Sequence, residues 1–148
     1  MIIKTERFGE IEIDEKNIIT FPSGILGFPH IKRYVFIKEE ENDVFLWLQG
    51  IEDDVAFIIT NPLFFKPDYR IEIPVEEIKE LETENIEDIN IYVIVTIPPD
   101  PKFTSINLQG PILINPRKNL GKQVVLVNDN YPLKYFIFAD KKDLVQSA

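Results

Sequence analysis

The chain has 148 residues, with 25 acidic against 16 basic side chains, a formal charge of −9 and a pI of about 4.6. That length suits one domain able to bury roughly two thirds of its unfolded surface; with no cysteine, disulfides and thiolate metal sites are excluded, which fits a reducing compartment. The acidity argues against direct nucleic-acid binding, because phosphates are held by Lys and Arg. It either serves solubility or favours basic protein partners.

The N-terminus, MIIKTERFGEIEI, has neither a long apolar core nor a small-residue cleavage site, so it does not read as a signal peptide. No apolar run approaches the roughly 20 residues of a membrane span, and a cytoplasmic protein is expected. Ile11 and Ile13 alternate with Glu10 and Glu12, a strand pattern. There follows FPSGILGFP, Phe21–Pro29, a Gly/Pro turn carrying Phe21, Ile25, Leu26 and Phe28. Turns usually lie at the surface, so these side chains either fold back into the core or wait for a partner.

Further β-rich runs are RYVFI, VFLWLQ, VAFIIT, GPILIN, KQVVLV and KYFIFA, and Ile71 and Ile73 alternate with Arg70 and Glu72. In DINIYVIVTIP, Ile89, Ile91, Val93, Val95 and Ile97 share a face, and Pro98-Pro99 ends the strand. One helix is predicted at PVEEIKELE, with Pro74 in its first turn and Glu76 and Glu77 near the positive dipole end. Val75, Ile78 and Leu81 fall on one of its faces. The expected fold is therefore mainly β: a single small antiparallel β-barrel-like domain over 1–148 with one or two short helices. The tail from about 131 to 148 is expected to vary and fray.

Reactive signatures are missing: no GxSxG, GxxxxGK[ST], GxGxxG or HExxH motif occurs, and His30 is the only histidine. The reading is no enzyme, no catalytic residues, no cofactor and no metal. Three segments can carry binding: the turn Phe21–Pro29; an acidic stretch from Glu72 to Asn90, net −7, which includes Glu76, Glu77 and Glu80; and TSINLQGPILIN, Thr104–Asn115. Each is equally an ordinary turn, solvated helix face or loop-to-strand junction.

Their order resembles the flagellar assembly factor FliW family. MIIKTERFGEIEIDEKNIITFPSGILGF is similar to its opening, with a short strand pair followed by F-x-x-G-[IL]-x-G-F. AFIITNPLFFKPDY, Ala56–Tyr69, resembles its apolar strand, proline, paired aromatics and Asp-Tyr. NLQGPILINPRKNLGKQVVL, Asn107–Leu126, resembles its NL-x-x-P-[IL]-x-[IL]-N … QVVL segment. The likeness runs over residues 1–130 and is not carried into YPLKYFIFADKKDLVQSA.

The resemblance implies a small β-barrel-like regulator that binds flagellin and the RNA-binding translational repressor CsrA by partner exchange. Free flagellin would occupy the factor and release the repressor; flagellin export would reverse this. No direct nucleic-acid or membrane contact is implied. On this reading Phe21, Gly24, Leu26, Gly27, Phe28, Asn107, Leu108, Pro111, Glu76, Glu77 and Glu80 are the candidate partner-binding residues. The alternatives are a flagellin export chaperone without repressor binding, and a small-molecule-binding barrel with Trp47, Tyr92 and the phenylalanines lining a cavity.

Overall fold

The computed structural model describes residues 1–39, 41–127 and 130–139. It opens with a hairpin of β1 (Ile2–Thr5) and β2 (Gly9–Glu12), in register at Ile3↔Ile11. The Thr5 hydroxyl fixes its turn, donating to the Gly9 carbonyl at 3.0 Å and accepting from the Phe8 amide at 2.8 Å. Phe8 meets the Trp47 ring edge-on at 5.5 Å, and the Arg7 guanidinium lies 4.5 Å from the same ring.

The remaining strands are β3 (Ile19–Thr20), β4 (Arg33–Ile37), β5 (Phe45–Gly50), β6 (Ala56–Thr60), β7 (Asn90–Thr96), β8 (Ser105–Ile106), β9 (Ile112–Asn115), β10 (Leu120–Gln123) and β11 (Tyr135–Phe136). Seven of them close in the order β7-β6-β5-β4-β3-β10-β9, because β9 pairs back onto β7 at Ile91↔Leu113. The expected mainly-β barrel is thus the fold. Among the described residues its one departure from antiparallel pairing is the parallel β3–β10 seam, joined at Leu120↔Thr20.

β7 shares its second edge between two partners. Its first half pairs with β9 and its end pairs with β8, so β8 and β9 are one strand course interrupted by residues 107–111. The predicted alternation along β7 is real, yet neither face meets water alone. Val93 and Val95 pack into an outer cluster with Ile78, Leu81 and Leu113; Tyr92 and Ile94 pack against the barrel interior. That interior is filled by Phe21, Tyr34, Leu48, Ile59 and Ile112, and Trp47 is not among them. A ligand cavity lined by Trp47 and Tyr92 is therefore not the arrangement seen.

The single α-helix among the described residues, α1 (Val75–Lys79), is shorter than the PVEEIKELE segment, and Ile78 is its buried residue. Two expectations need correction. Residues 70–74 join no strand ladder among the described residues; Ile71 and Ile73 pack against the outer cluster, and the Arg70 backbone is tied to the Tyr131 hydroxyl. Past Asn130 the chain does not leave the body at once: Tyr135 and Phe136 pair with Ile106 and Ser105 of β8. Residues 140–148 of the expected frayed tail lie outside the described residues.

Tyr34 sets a pH limit on this core. Its ring is buried and its hydroxyl has no hydrogen-bond partner among the described residues; burial, with the Glu52 carboxylate adding to it, pushes the phenol up to about 12. An unfolded tyrosine ionises near pH 10, so above that pH only the unfolded chain gives up this proton. The stabilisation is intact below pH 10 and is lost as the pH climbs towards 12. We expect urea unfolding at pH 11 to show the wild type losing roughly 1 kcal/mol more, relative to pH 8, than Tyr34→Phe does. Equal losses in the two proteins would refute the assignment.

Candidate functional site

The three segments chosen from the sequence are held together by two adjacent residues of β10, whose side chains leave opposite faces of the strand. Lys122 reaches outward to α1. Its ammonium lies 2.6 Å from Glu77 and also contacts Glu80, and at 18% side-chain exposure it is screened from solvent more than either partner. Gln123 reaches the other way. Its Oε1 accepts from the Leu26 amide at 2.9 Å, and its Nε2 donates to the Gly110 carbonyl at 3.0 Å. The acidic helix, the apolar turn and the Asn107–Pro111 loop thus surround one strand.

Within the turn, the question raised by FPSGILGFP has a divided answer. Phe21 and Ile25 are fully buried, Phe21 packing edge-on to Tyr34 at 5.1 Å. Gly24 is buried at φ +68°, and a Cβ there would sit 2.7 Å from the Phe28 carbonyl oxygen. Phe28 is half-buried, with its ring 5.3 Å from Phe57. Only Leu26, 67% exposed, offers a large apolar side chain to solvent, beside an exposed Gly27.

The loop is likewise mostly structural. Asn107 is half-buried, and its Oδ1 accepts from the Gln109 and Gly110 amides at 3.0 and 2.9 Å, which forms the excursion between β8 and β9. Leu108 is buried and its carbonyl accepts from the Tyr69 hydroxyl at 2.6 Å. Pro111 is buried as well, with its carbonyl accepting from the Val124 amide at 3.0 Å. Phe21, Gly24, Leu108 and Pro111 are thus buried in this structure. They shape the segments whose exposed members are Leu26, Gly27, Glu76 and Glu80.

Two surface features were not singled out from the sequence. An open apolar groove of about 440 Å³ runs between the 61–71 segment and β7, lined by Pro62, Leu63, Ile71, Ile86, Ile89 and Ile91. Asn61 builds one wall by accepting from the Leu63 amide, and Asn85 the other by accepting from Glu87. The signal was present in Asn61-Pro62 as a turn start, but nothing in the sequence tells that Leu63 and Ile86 stay outside. The second is a cleft of about 270 Å³ between Glu72–Pro74 and residues 124–127 just past β10.

By class, this is a small closed β-barrel with a second apolar layer on its outer wall and open grooves on its surface. Among the described residues, no group of three or more His, Asp or Glu side chains is placed to hold a metal ion, and no helix is long and apolar enough to cross a membrane. The family described as FliW protein matches residues 2–137. Flagellar assembly factor FliW of Caldicellulosiruptor saccharolyticus is 42% identical, covering 98% of this chain and 95% of the relative. That of Alkaliphilus metalliredigens is 42% identical over 100% of this chain and 93% of its own. A crystal structure of the flagellar assembly factor FliW superposes with a TM-score of 0.88 at 37% identity, covering 95% of this chain and 99% of that one. The chain belongs to the FliW family of flagellar assembly factors.

Proposed function

We propose that this chain is a non-enzymatic cytoplasmic regulator that binds flagellin and, by partner exchange, sequesters and antagonises the translational repressor CsrA. Membership of the flagellar assembly factor family along essentially the whole chain carries the reading. The surface supports it in two ways. The 440 Å³ groove offers apolar walls to an amphipathic helix, the conformation a flagellin terminal segment would take on docking, with its ordering cost met at binding. The net charge of −9 suits an RNA-binding partner, whose surface must be basic.

The test is calorimetric titration with monomeric flagellin, then with repressor present. We expect flagellin binding at about micromolar affinity or tighter, near −8 kcal/mol, and displacement of repressor as flagellin is added. Ile86→Asp, an exposed groove position, should weaken flagellin at least tenfold, about 1.4 kcal/mol, while leaving stability within about 0.5 kcal/mol. No complex with flagellin would remove the proposal. A flagellin complex without any repressor complex would favour an export chaperone instead.

A further inference from the structure

We infer that the strand edge just past β10, residues 124–127, is a docking site for an extended basic segment of a partner protein, taken up by β-addition. This site shares no lining residue with the flagellin groove and does not depend on that reading.

The backbone here is half-satisfied. The Val124 amide donates to the Pro111 carbonyl at 3.0 Å, and the Leu126 amide donates to the Gln109 carbonyl at 2.8 Å. These two residues bury their side chains in the outer cluster with Leu113. Alternation sends the amides of Val125 and Val127 the other way, where no backbone partner meets them among the described residues. An extended segment paired on one side only is an edge strand, a template for a further strand.

Sheets usually protect such edges with charge, proline or a bulge. This one carries valine: Val125 is 50% and Val127 83% exposed. Their side chains share a face with Gln123, whose Oε1 holds the amide of exposed Leu26. An incoming strand would find two free amides and a stripe for its alternate side chains.

Charge decides what kind of strand. The facing wall of the cleft is Glu72, Ile73, Pro74 and Glu77, with exposed Glu76 beside it. Lys122 offsets Glu77 and Glu80, whereas Glu72 and Glu76 form no ion pair among the described residues. A second copy of this chain would bring the same carboxylates and a −9 surface against them, so edge-to-edge self-pairing is opposed. A segment alternating apolar residues with Lys or Arg satisfies both the stripe and the rim.

The experiment uses a labelled synthetic peptide, acetyl-Lys-Val-Lys-Val-Lys-Val-Lys-amide, in fluorescence anisotropy with the full chain at low salt. Binding should weaken at least tenfold in the Glu72→Lys/Glu76→Lys variant and at least tenfold in Val125→Pro, and a Glu-Val peptide of the same length should not bind. Because Val125→Pro acts on backbone and its fold has to be checked, amide exchange of the unaltered protein supplies a second readout. Exchange at Val125 and Val127 should slow on adding the Lys-Val peptide. Unchanged exchange at those two amides, or concentration-dependent dimerisation that protects them without peptide, would overturn the inference.

Discussion

Gly121→Ala is expected to lower the unfolding free energy by about 2 to 3 kcal/mol, although alanine is the better residue for an extended backbone by most criteria. Gly121 lies in β10 directly under the Phe21 ring. A Cβ there would fall 2.4 Å from Phe21 Cζ and 2.5 Å from Cε1, far inside contact distance. A flexible side chain at the surface would swing away at little cost. Phe21 is fully buried and held edge-on against Tyr34, itself fully buried, so the ring has nowhere to retreat.

The mechanism makes a sharper claim than the loss alone. In a Phe21→Leu background, itself about 1 to 2 kcal/mol down, the ring is gone and Gly121→Ala should cost almost nothing. The coupling energy from the double-mutant cycle is then about 2 kcal/mol, measured by urea denaturation of all four proteins. Additive effects would mean that the ring and the glycine are not in conflict.

Gly24→Ala is the second large effect, for a different reason. At φ +68° any side chain is strained by about 1 to 2 kcal/mol, and here the Cβ would also strike backbone: Phe28 O at 2.7 Å and Pro29 Cα at 2.8 Å. We expect about 3 kcal/mol in total. Gly27 is the internal control. Its φ is +87°, but a Cβ there meets nothing within 4 Å, so Gly27→Ala should carry only the strain, about 1 kcal/mol. Equal losses at the two positions, read from denaturant midpoints, would discard the close-approach argument.

Sequence legibility followed physical rules. β4, β5, β6 and β7 lie where RYVFI, VFLWLQ, VAFIIT and DINIYVIVT placed them, because β-branched and aromatic runs bounded by turn residues have few other options. Period-two pattern does not distinguish a paired strand from a segment that joins no ladder, which is why Ile71 and Ile73 misled. Nor does it register that Val125 and Val127 lie past the last ladder pair of β10 at Gln123. At the candidate site, the segments were visible and their exposed atoms were not. Phe21 and Leu26 look alike in the sequence, and only the positive-φ turn at Gly24 sends one inward and leaves the other out. Lys122 and Gln123 escaped notice because a single Lys-Gln pair carries no pattern. Their importance arises from what the fold brings to either side of β10.

The parallel β3–β10 seam has a consequence for how the chain is made. It joins Thr20 to Leu120, and the Thr20 amide donates to the Asn119 carbonyl at 2.8 Å. No rearrangement of the residues before it can substitute for this seam, which closes a long loop between Thr20 and Leu120. During synthesis the β4–β7 meander can form as it emerges, since its pairings are between neighbours in sequence. Closure has to wait until the residues near 120 have left the ribosome, so the barrel cannot close while only the β4–β7 meander has been made.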